Sequence, residues 1–283
     1  MPELPFIQVL VENLNAQVRG RMIASVRVKS PSVLKTFDPP VTAIVDHAIK
    51  AVRRVGKLVV FDLDELAIVM HLMRSGRLQI VPSRQGQNKD VAFVLTLDAR
   101  DVRLYEIGPK KRAAVYVRRT PELMSGEPLG DLGIDPLGET FTEAQLAEML
   151  TGETTQLKRF LTLQRYVTSI GNTFSDEILW EGKLSPFAAA NRLKEGEIAR
   201  LFQAIRSTLS RALDEHHSHF GDGLPVKEPL ELLRVHRHGG EPCPRCGTPI
   251  AVVHFAERET YYCPQCQTGG KVYADRRLSR LLK

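Results

Sequence analysis

The chain has 283 residues, 43% hydrophobic and 25% charged, a globular composition with room for one large domain or two ordinary ones. No apolar run approaches the roughly 20 residues of a membrane-spanning helix, and a net charge of +6 suits an anionic partner without identifying one. The four cysteines all lie between Cys243 and Cys266. That clustering argues against a disulfide-stapled secreted scaffold and for a local metal site in a reducing compartment.

The chain opens MPELPFIQVLVENL. Glu3 and the lack of an N-terminal basic cluster argue against a signal peptide. Proline near a helix start costs only an amide hydrogen that would be unpaired there anyway. Ile7, Leu10, Val11, Leu14 and Val18 then mark one face of a helix. From Met22 to about Val117 the texture changes to short β-rich runs: MIASVRV, KLVVFDL, LAIVMHL, VAFVLTL, VRLYEI and AAVYV. Turn residues punctuate them, which predicts an antiparallel sandwich or barrel. Residues 125–140 are rich in Gly, Pro and acidic side chains and predict a linker.

Beyond the linker the pattern is helical. Thr142 and Gln145 form a capping box, with Phe141 and Leu146 as its hydrophobic staple. Helices follow over Gln156–Leu163 and Asn172–Leu184. A long fourth helix is marked by Ile198, Leu201, Phe202, Ile205, Leu209 and Leu213. The fold class is α+β in two domains: 1–124 as an N-terminal β-sandwich, 125–140 as linker, 141–235 as a helical domain. A zinc-binding hairpin over 236–270 and a basic tail over 271–283 complete the expectation.

The cysteines have the form C-x2-C-x16-C-x2-C. Two C-x-x-C turns joined by a hairpin suit a tetrahedral Zn²⁺ on Cys243, Cys246, Cys263 and Cys266. With four thiolates no position is left for substrate, so the site is structural. Arg258, five residues before Cys263, falls in the turn of that hairpin, where an arginine can reach a groove and hold phosphate.

Four segments in order, PELP at the N-terminus, Gly56–Lys57 before a strand, IGNTFSDEILW over Ile170–Trp180 and the cysteine hairpin, resemble the formamidopyrimidine-DNA glycosylase and endonuclease VIII family over residues 2 to about 267. The resemblance implies an N-terminal helix, a β-sandwich, a helix–two-turn–helix domain and a zinc hairpin. It implies base-excision repair of damaged double-stranded DNA, in which the enzyme flips out and removes a damaged base and nicks the backbone by β/δ-elimination as an abasic-site lyase, by a bacterial, cytoplasmic, nucleoid-associated monomer with no membrane partner. It further implies loss of Met1, so that Pro2 becomes the N-terminal nucleophile, with Glu3 as acid–base residue. Lys57 then joins the catalytic set at a phosphate beside the lesion, Asn172 and Arg258 hold phosphate, and His71 and Glu177 also match family positions.

Departures from the family are specific. The usual PELPEVE is PELPFIQ here, with Phe6 and Gln8 in place of carboxylates. HLMRSGR replaces HLGMSGS, which puts Arg74 at the space-filling methionine, with Met73 adjacent. GPKKRA replaces DPRRFG, so Lys111 and Arg112 stand where the family carries an aromatic wedge. The segment before the zinc hairpin is short for an 8-oxoguanine-capping loop, which argues against that base. Arg276, Arg277, Arg280 and Lys283 in the tail either track DNA or fray. Two rival readings remain. One is a damage- or structure-specific DNA-binding paralogue with lyase activity only, or none; the other is a zinc-ribbon interaction module unrelated to repair.

Overall fold

The structure, a computed structural model, describes residues 1–86, 88–255 and 258–273. The tail arginines and Lys283 lie outside the described residues. The contacts group the chain into two units: Met1–Asp131 with His216–Glu228, and Leu132–Glu215 with the residues from Pro229 onward.

In the first unit, α1 (Leu4–Val18) carries Pro5 in its first turn, and the apolar face read from the sequence is buried. Eight strands follow: β1 (Ser25–Val28), β2 (Ala51–Val55), β3 (Leu58–Asp62), β4 (Leu66–His71), β5 (Gly76–Pro82), β6 (Val91–Thr96), β7 (Arg100–Glu106) and β8 (Ala114–Arg119). They form two four-stranded antiparallel sheets, ordered β1-β6-β7-β5 and β2-β3-β4-β8. One continuous core of α1 and both sheets, including Phe6, Leu10, Phe61, Met70, Phe93 and Val115, makes this a sandwich with a helix packed on it.

The sequence runs did not include β2 or β5. Both are edge strands, where charge is tolerated and even protective against stray pairing. Arg53 and Arg54 interrupt β2, and β5 begins at a glycine and ends at a proline, so neither shows the apolar pattern of a central strand.

In the second unit, α2 (Glu143–Thr151) starts with the expected capping box. The Thr142 hydroxyl accepts from the Gln145 amide at 3.3 Å, and the Gln145 side chain accepts from the Thr142 amide at 3.1 Å. It is followed by α3 (Leu157–Thr162), α4 (Asn172–Glu181) and α5 (Glu195–Phe220). A hairpin of β9 (Ala251–Phe255) and β10 (Arg258–Tyr262) leads into α6 (Pro264–Thr268). No helix among the described residues is long and apolar enough to cross a membrane.

The unit boundary falls between Asp131 and Leu132, inside the expected linker, but that segment is not loose. Leu129 is buried, the Gly133 amide donates to the Gln164 carbonyl at 2.7 Å, and Ile134 bridges Val167. A side chain at Gly133 would lie 2.1 Å from the Tyr166 carbonyl oxygen, so only glycine fits there. The expected 141–235 domain is also interrupted, because 216–228 belong with the first unit. The Phe220 ring meets Phe6 edge-on at 6.1 Å, and the Asn13 amide donates to the carbonyls of Gly221 and Gly223 at 2.7 and 2.8 Å.

Candidate active site and nucleic-acid interface

The N-terminus of the first unit gathers charge. Pro2 and Glu3 are buried, whereas Met1 is about half exposed. Glu3 occupies the N-cap position of α1, yet its carboxylate makes no capping hydrogen bond, so it is not spent on starting the helix. The sheet delivers Lys57 to the same place. Val55 pairs with Leu58 across a two-residue hairpin, and Gly56 takes the left-handed conformation (φ +58°) that such a turn requires. Lys57 is 6% exposed. Burial lowers the Met1 amine below its ordinary value of 8.0; Arg74 and Lys57 act in the same direction, while Glu3 and Glu228 oppose it.

His71 ends β4 in the same constellation. Burial, then the Lys57 ammonium and the N-terminal amine, push it down to about 4. Its Nδ1 accepts the Met73 amide at 3.0 Å, which leaves the proton of the neutral ring on Nε2. His71 is therefore a hydrogen-bond donor at neutral pH and not a cation. Met73 itself is strained, at φ +51°. Gly76 closes that turn by bonding the Leu72 carbonyl at 2.7 Å, so closely that a Cβ would lie 2.5 Å from the same oxygen.

Arg74 is exposed on this turn, and Lys111 and Arg112 are exposed on the loop between β7 and β8. Ser75 ties the two loops together: its carbonyl accepts the Ile107 amide at 2.9 Å and its hydroxyl the Arg112 amide at 3.4 Å. The buried Glu106 carboxylate accepts the Ala113 amide at 2.9 Å. The loop thus has a fixed base and a cationic tip. Gln8, where the family has a carboxylate, accepts from Arg54 Nε at 2.8 Å and donates to Glu12 at 2.7 Å.

In the second unit Asn172 is the first residue of α4, with Gly171 at the N-cap. Its Oδ1 is buried without a hydrogen-bond partner among the described residues. Arg258 is exposed at the first position of β10, paired with Phe255, and not within the turn. Glu177, which matches a family position, is a buried brace. Its carboxylate accepts the amides of Arg234, Val235 and His236 at 2.8–2.9 Å. Burial raises its pKa against the pull of those three donors.

The cysteines converge. All four Sγ atoms lie within 4.8 Å of one another, with Cys246 3.4 Å from Cys263 and 3.5 Å from Cys266. Bonds of about 2.3 Å to a tetrahedral cation require sulfurs about 3.8 Å apart, so the cluster fits a metal. The thiols differ in environment. Burial pushes Cys263 up to about 12, while the Thr248 side chain and amide pull Cys246 down to about 6. The indole of Trp180 donates to Cys243 Sγ at 3.3 Å, an outer support of the kind metal sites use.

Sequence reasoning missed two groups. Glu228, bonded to the buried His216 at 3.0 Å, belongs to the N-terminal constellation. Lys158, Asp176 and His236 form a buried chain beneath β10. Neither has a local signal, because the partners are far apart in sequence.

A β-sandwich with a buried N-terminal Pro2–Glu3 pair, a helix–two-turn–helix segment and a four-cysteine hairpin define the class. Residues 1–115 match the formamidopyrimidine-DNA glycosylase N-terminal domain, 132–221 its helix–two-turn–helix domain, and 240–269 a zinc finger found in these glycosylases and isoleucyl-tRNA synthetases. The formamidopyrimidine-DNA glycosylase of Herpetosiphon aurantiacus is 30% identical over 276 residues, covering 94% of this chain and 100% of that protein. The Symbiobacterium thermophilum protein of the same name is 32% identical, covering 94% and 89%. A Lactococcus lactis enzyme mutant bound to Fapy-dG-containing DNA superposes with a TM-score of 0.85 at 25% identity, covering 94% of this chain and 100% of that one. MutM bound to DNA containing carbocyclic 8-oxoG gives 0.86 at 26%, with the same coverage. The chain belongs to the formamidopyrimidine-DNA glycosylase family, DNA glycosylases of base-excision repair.

Proposed function

We propose that the chain excises a damaged base from duplex DNA and then nicks the backbone as an abasic-site lyase, using the Pro2 nitrogen. The observation that carries this reading is the buried Pro2–Glu3 pair, with a carboxylate not used for capping, amid Lys57, His71 and Arg74. Removal of Met1 turns the Pro2 amide nitrogen into a secondary amine. An α-amine titrates far below lysine, so a neutral, nucleophilic fraction exists at physiological pH.

The amine attacks C1′ as the glycosidic bond breaks and the base departs with a proton. The attached nitrogen gives up its proton and the C1′–O4′ bond opens, O4′ taking up a proton, which leaves a ring-opened iminium that acidifies C2′–H. Loss of that proton expels the 3′ phosphate, and a second elimination expels the 5′ phosphate. Glu3 is the group adjacent to the nucleophile for moving these protons. Lys57, Asn172 and Arg258 hold phosphates, and His71 donates from Nε2. Arg74, Lys111 and Arg112 fill space and bind backbone at the flipped base. Zn²⁺ held by Cys243, Cys246, Cys263 and Cys266 fixes the hairpin. The enzyme works as a monomer in the bacterial cytoplasm, at the nucleoid and without a membrane partner.

One observation favours a second reading. The loop over 108–112 presents Lys110, Lys111 and Arg112, all exposed, and no aromatic ring, so a lyase that binds damage but excises poorly fits as well. Borohydride trapping on duplexes with an abasic site and with a panel of damaged bases separates the two. Protein lacking Met1 should be trapped on both kinds of DNA. Trapping on the abasic duplex alone selects the second reading. Equal trapping by protein shown by mass spectrometry to retain Met1 removes Pro2 as nucleophile.

A further inference from the structure

Lys158 is a cation that cannot reach DNA. Its side chain is 10% exposed, its Nζ lies 2.7 Å from Asp176, and it donates to the Glu259 carbonyl at 2.6 Å. Glu259 directly follows Arg258 on β10. Asp176 on α4 is wholly buried, and its other oxygen is 2.8 Å from His236 Nδ1. The His236 ring meets Tyr261, also on β10, edge-on at 4.9 Å.

A buried ammonium needs both a counter-charge and hydrogen-bond acceptors. Here Asp176 supplies the charge, and the second acceptor is the backbone of the strand that begins at Arg258. Arg258 starts β10 at the turn end of the hairpin, paired with Phe255. The backbone there is tied to α3 by the Lys158 ammonium, 101 residues away in sequence.

We propose that Lys158, anchored by Asp176, is a positioning residue for Arg258: it sets the backbone from which Arg258 reaches a DNA phosphate. The proposal rests on the reading of Arg258 as a phosphate contact. Lys158 thus contributes to DNA affinity without touching DNA, and it acts through one identified side chain.

A double-mutant cycle with Lys158→Met and Arg258→Ala tests this, using full-length, zinc-loaded protein and one duplex titrated at several salt concentrations. Arg258→Ala alone should weaken binding and lower the slope of log K against log salt by about one, the loss of one phosphate contact. Lys158→Met should lower the slope by the same amount although Lys158 is buried. The double variant should bind no more weakly than Arg258→Ala.

Wild-type affinity and slope in Lys158→Met, or losses that add in the double variant, overturn the proposal. If Lys158→Met fails to retain zinc, Asp176→Asn replaces it in the cycle and is judged by the same outcomes, since it frees the ammonium while keeping the shape. Should Arg258→Ala itself leave affinity and slope unchanged, the phosphate reading falls and the proposal with it. If only the Lys158 arm is silent, the proposal alone falls.

Discussion

The N-terminal constellation and the cysteine hairpin solve opposite problems. The hairpin brings together four residues from two short C-x-x-C turns, close in sequence and tied by ordinary strand pairing. The constellation gathers residues 1–3, 57, 71, 74 and 228 from a chain end, a hairpin turn, a strand end, a strand–strand turn and a loop. The hairpin site gathers four sulfurs that a bound cation would hold as thiolates. In the constellation, positive groups crowd an amine, and two carboxylates hold it partly in check. A structural centre can be assembled locally because it needs only ligands. A reactive centre needs unlike neighbours at set distances, which only tertiary structure supplies.

That contrast can be broken at either site. The largest effect is expected for Glu3→Gln. It is isosteric, so the fold and DNA affinity should stay intact. Base excision should fall by two to four orders of magnitude, the usual worth of a positioned acid–base group. Single-turnover cleavage alongside equilibrium binding checks this; equal loss in both would mean that Glu3 is a binding or folding residue.

Cys246→Ser, or chelation, should come next. Binding energy at a four-thiolate site is largely folding energy for the segment that holds it. The hairpin should unfold, DNA binding should weaken severely, and bound metal should fall to zero. The first unit should keep its own core, because that core lies in α1 and the two sheets. Hydrogen exchange reads the difference directly: protection lost in β9, β10 and α6 but kept in β3 and β4. Pure wild-type protein without a stoichiometric metal would end this account of the hairpin.

What the sequence revealed follows the same divide. The cysteine site was legible because its spacing is local, and the capping box at Thr142–Gln145 for the same reason. Central strands β3, β4 and β6 were legible from their unbroken apolar runs. Edge strands β2 and β5 were not, since one face of pairing is missing and charge is allowed. Pro2 and Glu3 read as an ordinary helix start, and only the resemblance gives them chemistry; both are buried. The Lys158–Asp176–His236 chain and the placement of Glu228 left no pattern at all. A lone lysine on a helix face reads as solvated, and its partners are fixed only by packing.

The smallest effect, and the sharpest probe of the N-terminal electrostatics, is the pH dependence carried by His71. Its folded pKa of about 4 lies below the ordinary 6.5. Between those values the unfolded chain takes up a proton that the native ring refuses, so stability rises with pH across the window. The contribution is complete above about pH 6.5 and is lost as pH falls toward 4. It amounts to at most about 3.5 kcal/mol for a shift of this size. Denaturant midpoints at pH 7.5 and 5 should therefore differ more in wild type than in His71→Gln, which cannot titrate. Burial, then Lys57, then the N-terminal amine cause the depression. Lys57→Met should accordingly move the His71 titration upward in NMR without restoring it fully, since burial remains. A His71 that titrates near 6.5 in the wild type would mean that the ring is solvated and the surrounding charges do not converge on the N-terminus.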